Sequence, residues 1–149
     1  MLLRAVADGT LLLILSVSAP IIILALRKKF WRNISVLIMA GLTSLLAGKI
    51  LSLLYQPAIA RPFIELGVEP GAAYIDNPGF PSDHALLATV VVVAVYALTR
   101  NRTLAAALGL LVVIMCIGRV AALVHTPLDV VGGVLAGLAG VFWYKKLTK

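Results

Sequence analysis

The chain has 149 residues, the length of one modest domain, with 62% hydrophobic and 13% charged residues and a mean hydropathy of +1.07. A soluble domain carries about 25% charged residues, so a water-facing surface is excluded and residues 1–149 are expected to form a single membrane-embedded domain. The formal net charge of +7 would suggest nucleic-acid binding on a soluble protein, but a chain with so little polar surface is expected to have no nucleic-acid partner.

A helix that spans a bilayer needs ~20 largely apolar residues, and a chain in lipid must satisfy its backbone internally. The sequence therefore predicts an all-α integral membrane helical bundle of about five transmembrane helices. The first run covers residues 9–26 and ends at Arg27, Lys28 and Lys29. It is too long for the apolar core of a signal peptide, and its basic cluster follows rather than precedes it, so it is expected to be retained and bent at Pro20. Residues 1–8 are expected to add no more than an interfacial turn. The second run covers residues 34–55. Residues 56–80 form one long irregular segment containing Pro57, Pro62, Pro70 and Pro78, and loops of that length are usually functional or disordered. The third run, residues 85–98, is short for a span and is expected to gain length at its start, with Ser82 as its cap after Pro81. The fourth and fifth cover residues 104–124 and 128–144. The single cysteine, Cys116, lies within the fourth run and has no partner for an intramolecular disulfide.

Basic residues in short loops set orientation. Arg27, Lys28, Lys29, Arg32, Arg100, Arg102, Lys145, Lys146 and Lys149 all fall on one side of a five-span chain, with no acidic residue beside them. That side is expected to be cytoplasmic, and the long loop is expected to face the periplasm or exterior. On the outer side lie every carboxylate, both histidines and the remaining cations Arg4, Lys49, Arg61 and Arg119.

Ionisable residues bordering membrane spans are costly, and function is their default reading. Lys49 sits within the apolar pattern of the second run, though a snorkelling ammonium accounts for it equally well. The outer helix ends are expected to bring Lys49, Ser82, Asp83, His84, Arg119, His125 and Asp129 together with Arg61 from the loop. Such a pocket suits a phosphate. Arginine grips phosphate oxygens with a planar fork, lysine adds a point charge, and the free N–H groups at a helix start form an anion site. Two histidines suggest a division of labour: one attacks phosphorus, the other protonates the leaving oxygen, and Asp129 orients the attacking ring.

Simpler structural roles exist for several of these. Thr126-Pro127-Leu128-Asp129 reads as a helix start, with Thr126 as N-cap and Asp129 as its capping-box carboxylate. Asp83 suits the first turn of a helix, where an acid offsets the dipole. Gly132, Ala136 and Gly140, with Gly133 and Gly137 beside them, have the spacing of a close helix contact. A metal site is disfavoured because the nearby cations repel a divalent ion and no His-xxx-His or His-Glu-xx-His spacing occurs.

Phe80-Pro81-Ser82-Asp83-His84 resembles the PSGH motif of the type 2 phosphatidic acid phosphatase superfamily, and Arg119, His125 and Asp129 resemble its third motif, SR-x5-H-x3-D. Lys49 and Arg61-Pro62 are similar to its first motif, K-x6-RP, and the resemblance covers roughly residues 34–140. It implies metal-independent hydrolysis of a lipid phosphate or diphosphate, without a cofactor. It further implies His125 as the nucleophile forming a phosphohistidine, Asp129 as its partner and His84 as the general acid. Lys49, Arg61, Ser82 and Arg119 would hold the phosphate, together with backbone N–H groups near Asp83 and His84. The chain departs from the family pattern in four places. Eleven residues separate Lys49 from Arg61, and the sixth-residue count from Lys49 leads instead to Gln56-Pro57. Gly118 replaces the serine before the arginine, Leu123 stands where a glycine is common, and the family usually has a further N-terminal span. Asp83 and the phrase Asp76-Asn77-Pro78-Gly79-Phe80 look similar to bacterial undecaprenyl-diphosphate phosphatases of the bacitracin-resistance type. That resemblance implies a bacterial inner-membrane enzyme of cell-wall biogenesis with an outward-facing site. A phosphatidylglycerophosphate or phosphatidate phosphatase is the alternative of the same chemistry, and a non-enzymatic lipid-binding membrane protein is the alternative of another class.

Overall fold

The computed structural model describes residues 2–27, 29–55 and 61–147. Lys28, Lys149 and the start of the long loop, Gln56 and Pro57 included, lie outside the described residues. Every regular element among the described residues is helical. In chain order they are α1 (Leu2–Leu26), α2 (Phe30–Leu54), the single turn α3 (Pro62–Glu65), α4 (Asp83–Thr99), α5 (Arg102–Ala121) and α6 (Pro127–Leu138), which continues into a tighter tail, Ala139–Leu147.

Among the described residues, four helices are long and apolar enough to cross a membrane: α1, α2, α5 and α6 with its tail, Pro127–Leu147. Helix α4 has 17 residues, a rise of ~26 Å against ~30 Å of hydrocarbon. It compensates by being central. It packs against α6, α1, α5 and α2, and Ala85, Leu86, Ala88, Thr89, Ala94, Val95 and Ala97 are buried along it. A helix apolar on all sides belongs in the middle of a bundle. The large apolar side chains that the bundle leaves uncovered, among them Leu12, Ile38, Leu53, Ile117 and Leu135, suit a lipid surround.

The small-residue stripe works as a contact surface, as its spacing indicates. A Cβ at Gly137 would lie 2.7 Å from Thr89 Cβ and 2.9 Å from the Leu86 carbonyl of α4. One at Gly133 would collide with the Ser82 carbonyl, and one at Gly140 with the Ala40 carbonyl of α2. Close backbones also let polar groups bond across helices. Ser44 Oγ donates to Gly137 O at 3.0 Å and accepts from Gly140 N at 3.1 Å, and Trp143 Nε1 donates to Thr43 Oγ1 at 2.9 Å.

Two readings of the sequence need correction. The N-terminal segment is not an interfacial turn ahead of a span that starts at residue 9. Helix α1 begins at Leu2 and runs through a π-helical turn, Ala5–Gly9, into Thr10–Leu26, with Pro20 inside it. Its apolar face continues upstream of Gly9, since Ala7 is buried against Phe63, Ala72, Ala122 and Val124. Ser82 does occupy the N-cap position of α4, but its hydroxyl makes no capping bond. Its backbone is committed elsewhere, with Ser82 N donating to Asp129 O at 2.9 Å.

Candidate active site

The helix ends that carry the candidate residues meet because backbone bonds tie them together. Ser82 N to Asp129 O joins the starts of α4 and α6, while Phe63 N to Leu123 O and Gly71 N to Ala122 O, at 3.1 and 3.0 Å, dock the long loop onto the turn after α5. That turn needs a left-handed residue to end the helix, and Leu123 takes the role at φ 60°, where a glycine would be unstrained. The turn delivers His125 to the site.

Next, Thr126-Pro127-Leu128-Asp129 starts α6 as the sequence indicates. Thr126 Oγ1 accepts from Asp129 N at 3.2 Å, and Asp129 Oδ2 accepts from Thr126 N at 2.7 Å, a complete capping box with Pro127 in the first turn. The same Oδ2 lies 3.5 Å from His125 Nδ1, at the outer limit of hydrogen bonding. Cap and histidine partner are therefore one carboxylate. Burial holds the His125 imidazolium below its ordinary pKa, with Arg119 and Arg61 adding to the effect and Asp129 opposing it. Nδ1 has no hydrogen-bond partner among the described residues.

Arg119, from the last turn of α5, is 1% exposed. Its Nη1 meets Asp8 Oδ1 at 2.7 Å and donates to Ala73 O at 2.7 Å, while Nε is buried without a partner. His84, half-buried in the first turn of α4, lies within electrostatic range of Arg119, Asp8 and His125. Ser82 is fully buried, and its Oγ has no partner among the described residues. Arg119, His84, His125, Asp129 and Ser82 thus stand close together, with unsatisfied donors on Arg119 and Ser82.

Arg61 is buried and heavily committed to the fold. Nη1 donates to Val124 O at 2.6 Å, Nη2 donates to Ile75 O at 2.8 Å and Asn77 Oδ1 at 2.6 Å, and the guanidinium lies 5.3 Å from the Tyr74 ring centroid. Burial lowers its pKa, opposed by Asp129, Tyr74, Asp83 and Asp76; an arginine remains charged regardless. Nε alone has no partner.

The expected gathering of every candidate in one pocket needs correction for Lys49. It is exposed and, with Asp83, Asn77 and Ser52, lines a neighbouring cavity of about 250 Å³ that includes neither histidine nor Arg119. Its position on the α2 surface sets it beside Asn77, Pro78, Phe80 and Pro81 of the loop. Asp83 is exposed in the first turn of α4 and accepts from Asn77 Nδ2 at 3.5 Å, which fits its expected dipole role.

Sequence reasoning missed Asp8 and Asn77. Asp8 was detectable in principle, as an acid within an apolar stretch. Asn77 accepts from Arg61 and from Gly79 N at 3.0 Å, the local bonding that asparagine favours in turns. Among the described residues no three His, Cys, Asp or Glu side chains are grouped closely enough to hold a metal ion.

Beside the site, α4, α5 and α6 enclose an open apolar groove of about 780 Å³. It runs from Val120 and Pro127, neighbours in sequence of Arg119 and His125, down to Gly109 and Leu138. A family model described as the PAP2 superfamily matches residues 29–149. No curated protein and no solved structure gives a match.

Proposed function

The chain belongs to the PAP2 superfamily, and from that premise we propose that this integral membrane protein hydrolyses a lipid phosphate or diphosphate without a metal, through a phosphohistidine on His125. The observation that carries the reading is the pairing of polar chemistry with an apolar groove. Arg119 with a free donor and the His125–Asp129 pair belong to the helix ends whose Val120 and Pro127 line the groove, so a lipid tail held there would bring its headgroup toward the cations.

In the proposed reaction the neutral His125 attacks phosphorus with Nε2, because Nδ1 is turned to Asp129. The bond from phosphorus to the leaving oxygen breaks as His84 donates its proton to that oxygen. Water then attacks the phosphohistidine, giving its proton to His84, and inorganic phosphate leaves. Arg119 Nε, Ser82 Oγ and the free N–H groups at the start of α4 stabilise the charge on the phosphoryl oxygens. Arg61 holds the loop and contributes its Nε–H, and Lys49 attracts the anionic headgroup from the adjoining cavity.

We further propose undecaprenyl diphosphate as the substrate, released as undecaprenyl phosphate at the outer face of a bacterial inner membrane. The resemblance of the Asp76–Phe80 phrase supports this, and so does the basic side opposite the site, which orients His125 outward once α4 crosses as a fifth span. The test is phosphate release by detergent-purified protein in EDTA from undecaprenyl diphosphate, phosphatidylglycerophosphate and phosphatidate. Turnover is expected on all three, fastest on the first. No release from any of them overturns the phosphatase reading, and loss of release on chelation overturns the metal-independent mechanism.

The pH dependence has a definite sign. Only unprotonated His125 carries the lone pair that attacks, and burial lowers its pKa. The acid limb of kcat/KM is therefore expected below about 6.5, the ordinary histidine value. Asp129→Asn removes a charge that favours the imidazolium, so the limb moves further toward acid while the rate falls. A wild-type limb at or above neutrality contradicts the assignment of that limb to His125.

A further inference from the structure

The N-terminal turn of α1 has no part in the phosphatase chemistry described so far, yet it reaches Arg119, the most buried charged side chain among the described residues. Asp8 lies in the π-helical turn Ala5–Gly9, a kind of turn found often at functional sites. One of its carboxylate oxygens contacts Arg119 Nη1 at 2.7 Å, and the other accepts from Ala73 N at 2.9 Å. Arg119 Nη1 also donates to Ala73 O at 2.7 Å. Asp8, Arg119 and the Ala73 backbone thus close a ring that joins α1, α5 and the long loop.

The approach depends on Gly118. A Cβ there would lie 3.1 Å from both Ala7 N and Ala7 Cα, and 2.9 Å from Val6 Cγ1. Contacts at that range are tighter than side chains ordinarily make, so a Cβ at 118 would push the turn back by a few tenths of an ångström. The ring consumes Nη1 and leaves Nε buried and unpartnered. A guanidinium is a rigid plane, so gripping one corner fixes the direction of the other donors.

From this geometry we infer that Asp8 is a positioning residue, which orients the Arg119 fork so that its free N–H groups face the phosphoryl oxygens. The inference rests on the reading of Arg119 as a phosphate ligand. It concerns an interaction through Arg119, since Asp8 itself carries a negative charge and would repel the substrate. Two opposing roles are distinguishable by sign. A carboxylate that merely occupied the anion site would slow the enzyme, and its removal would raise turnover and tighten anion binding. A carboxylate that aims the fork has the reverse effect.

The experiment is a double-mutant cycle with Asp8→Asn and Arg119→Ala on the full chain, read by phosphate release from undecaprenyl diphosphate and by the thermal shift induced by orthovanadate. Asp8→Asn is expected to lower kcat about 10- to 100-fold, the scale of a misplaced catalytic group, with KM nearly unchanged, and to reduce the vanadate-induced shift. In the Arg119→Ala background the same substitution is expected to change either readout by less than about twofold, because coupled residues are non-additive. Gly118→Ala displaces the turn that carries Asp8 while keeping both charged side chains in the sequence, and it is expected to lower kcat in the same direction. Should Asp8→Asn fold poorly, Gly118→Ala carries the test. Equal losses in both backgrounds, unchanged vanadate binding or faster turnover by Asp8→Asn each overturn the inference. Vanadate binding by a wild type that hydrolyses none of the lipids would defeat the phosphatase reading and still test Asp8; a wild type that neither hydrolyses a lipid nor binds vanadate overturns both.

Discussion

His125→Ala is expected to abolish phosphate release, lowering kcat/KM by more than about a thousandfold, because it removes the group that forms the covalent intermediate. The bundle is expected to survive. Asp129 keeps its capping box with Thr126, and Ser82 N keeps its bond to Asp129 O, so neither helix start depends on the imidazole. His125→Gln fills most of the vacated volume without a nucleophilic nitrogen and is expected to be equally inactive, which separates lost chemistry from a cavity. The direct measurement is rapid quenching of wild-type protein with phosphorus-labelled substrate. A protein-bound label that is stable to base and labile to acid is expected in the wild type and absent in both variants. Retained turnover in either variant sinks the nucleophile assignment.

Arg119→Ala carries the second large effect, a fall in kcat/KM of about 100- to 1,000-fold, the usual scale for removing a preorganised donor to developing charge. It is also expected to destabilise the protein, since Asp8 Oδ1 and Ala73 O both lose their partner. Breaking a buried pair costs about 3–5 kcal/mol. The Asp8 side chain keeps 24% of its surface exposed, so water offsets part of that loss and about 1–3 kcal/mol is expected. Arg119→Lys divides the two functions. An ammonium can pair with Asp8 but has no second fork face for phosphate, so stability should recover more than kcat/KM does. Thermal melting and steady-state kinetics on the three proteins test this; a lysine variant with wild-type kcat/KM shows that the fork is not used.

The parts of this site that depend on neighbours along the chain were legible in the sequence. Arg119, His125 and Asp129 end one helix, make a turn and start the next, so their short separation along the chain keeps them near one another. The Thr126–Asp129 box was readable for the same reason, as was the small-residue stripe, whose Gly133, Gly137 and Gly140 each meet a backbone. Fold class followed from composition, because an apolar chain in lipid must bond its backbone within helices.

Lys49 shows where such reasoning fails. Its depth along α2 could be counted, but its rotation about the helix axis could not, and rotation is what set it beside Asp83 and Asn77 rather than Arg119. Ser82 fails differently. A serine after Pro81 predicts a cap, yet its hydroxyl stays unpartnered and its N–H goes to Asp129 O, a partner 47 residues away on another helix.

Residue order therefore specified an apolar all-helical chain, the side on which its cations gather, and a histidine poised between an arginine and a capping carboxylate. The packing of helices specified which charges meet. Asp8 and Arg119 are 111 positions apart, and no period or motif links them. Their contact brings together a π turn in α1, a glycine at 118 and a loop carbonyl at 73, all at one place. Each is a matter of approach distance between backbones, which arises only when separate helices are brought to van der Waals contact.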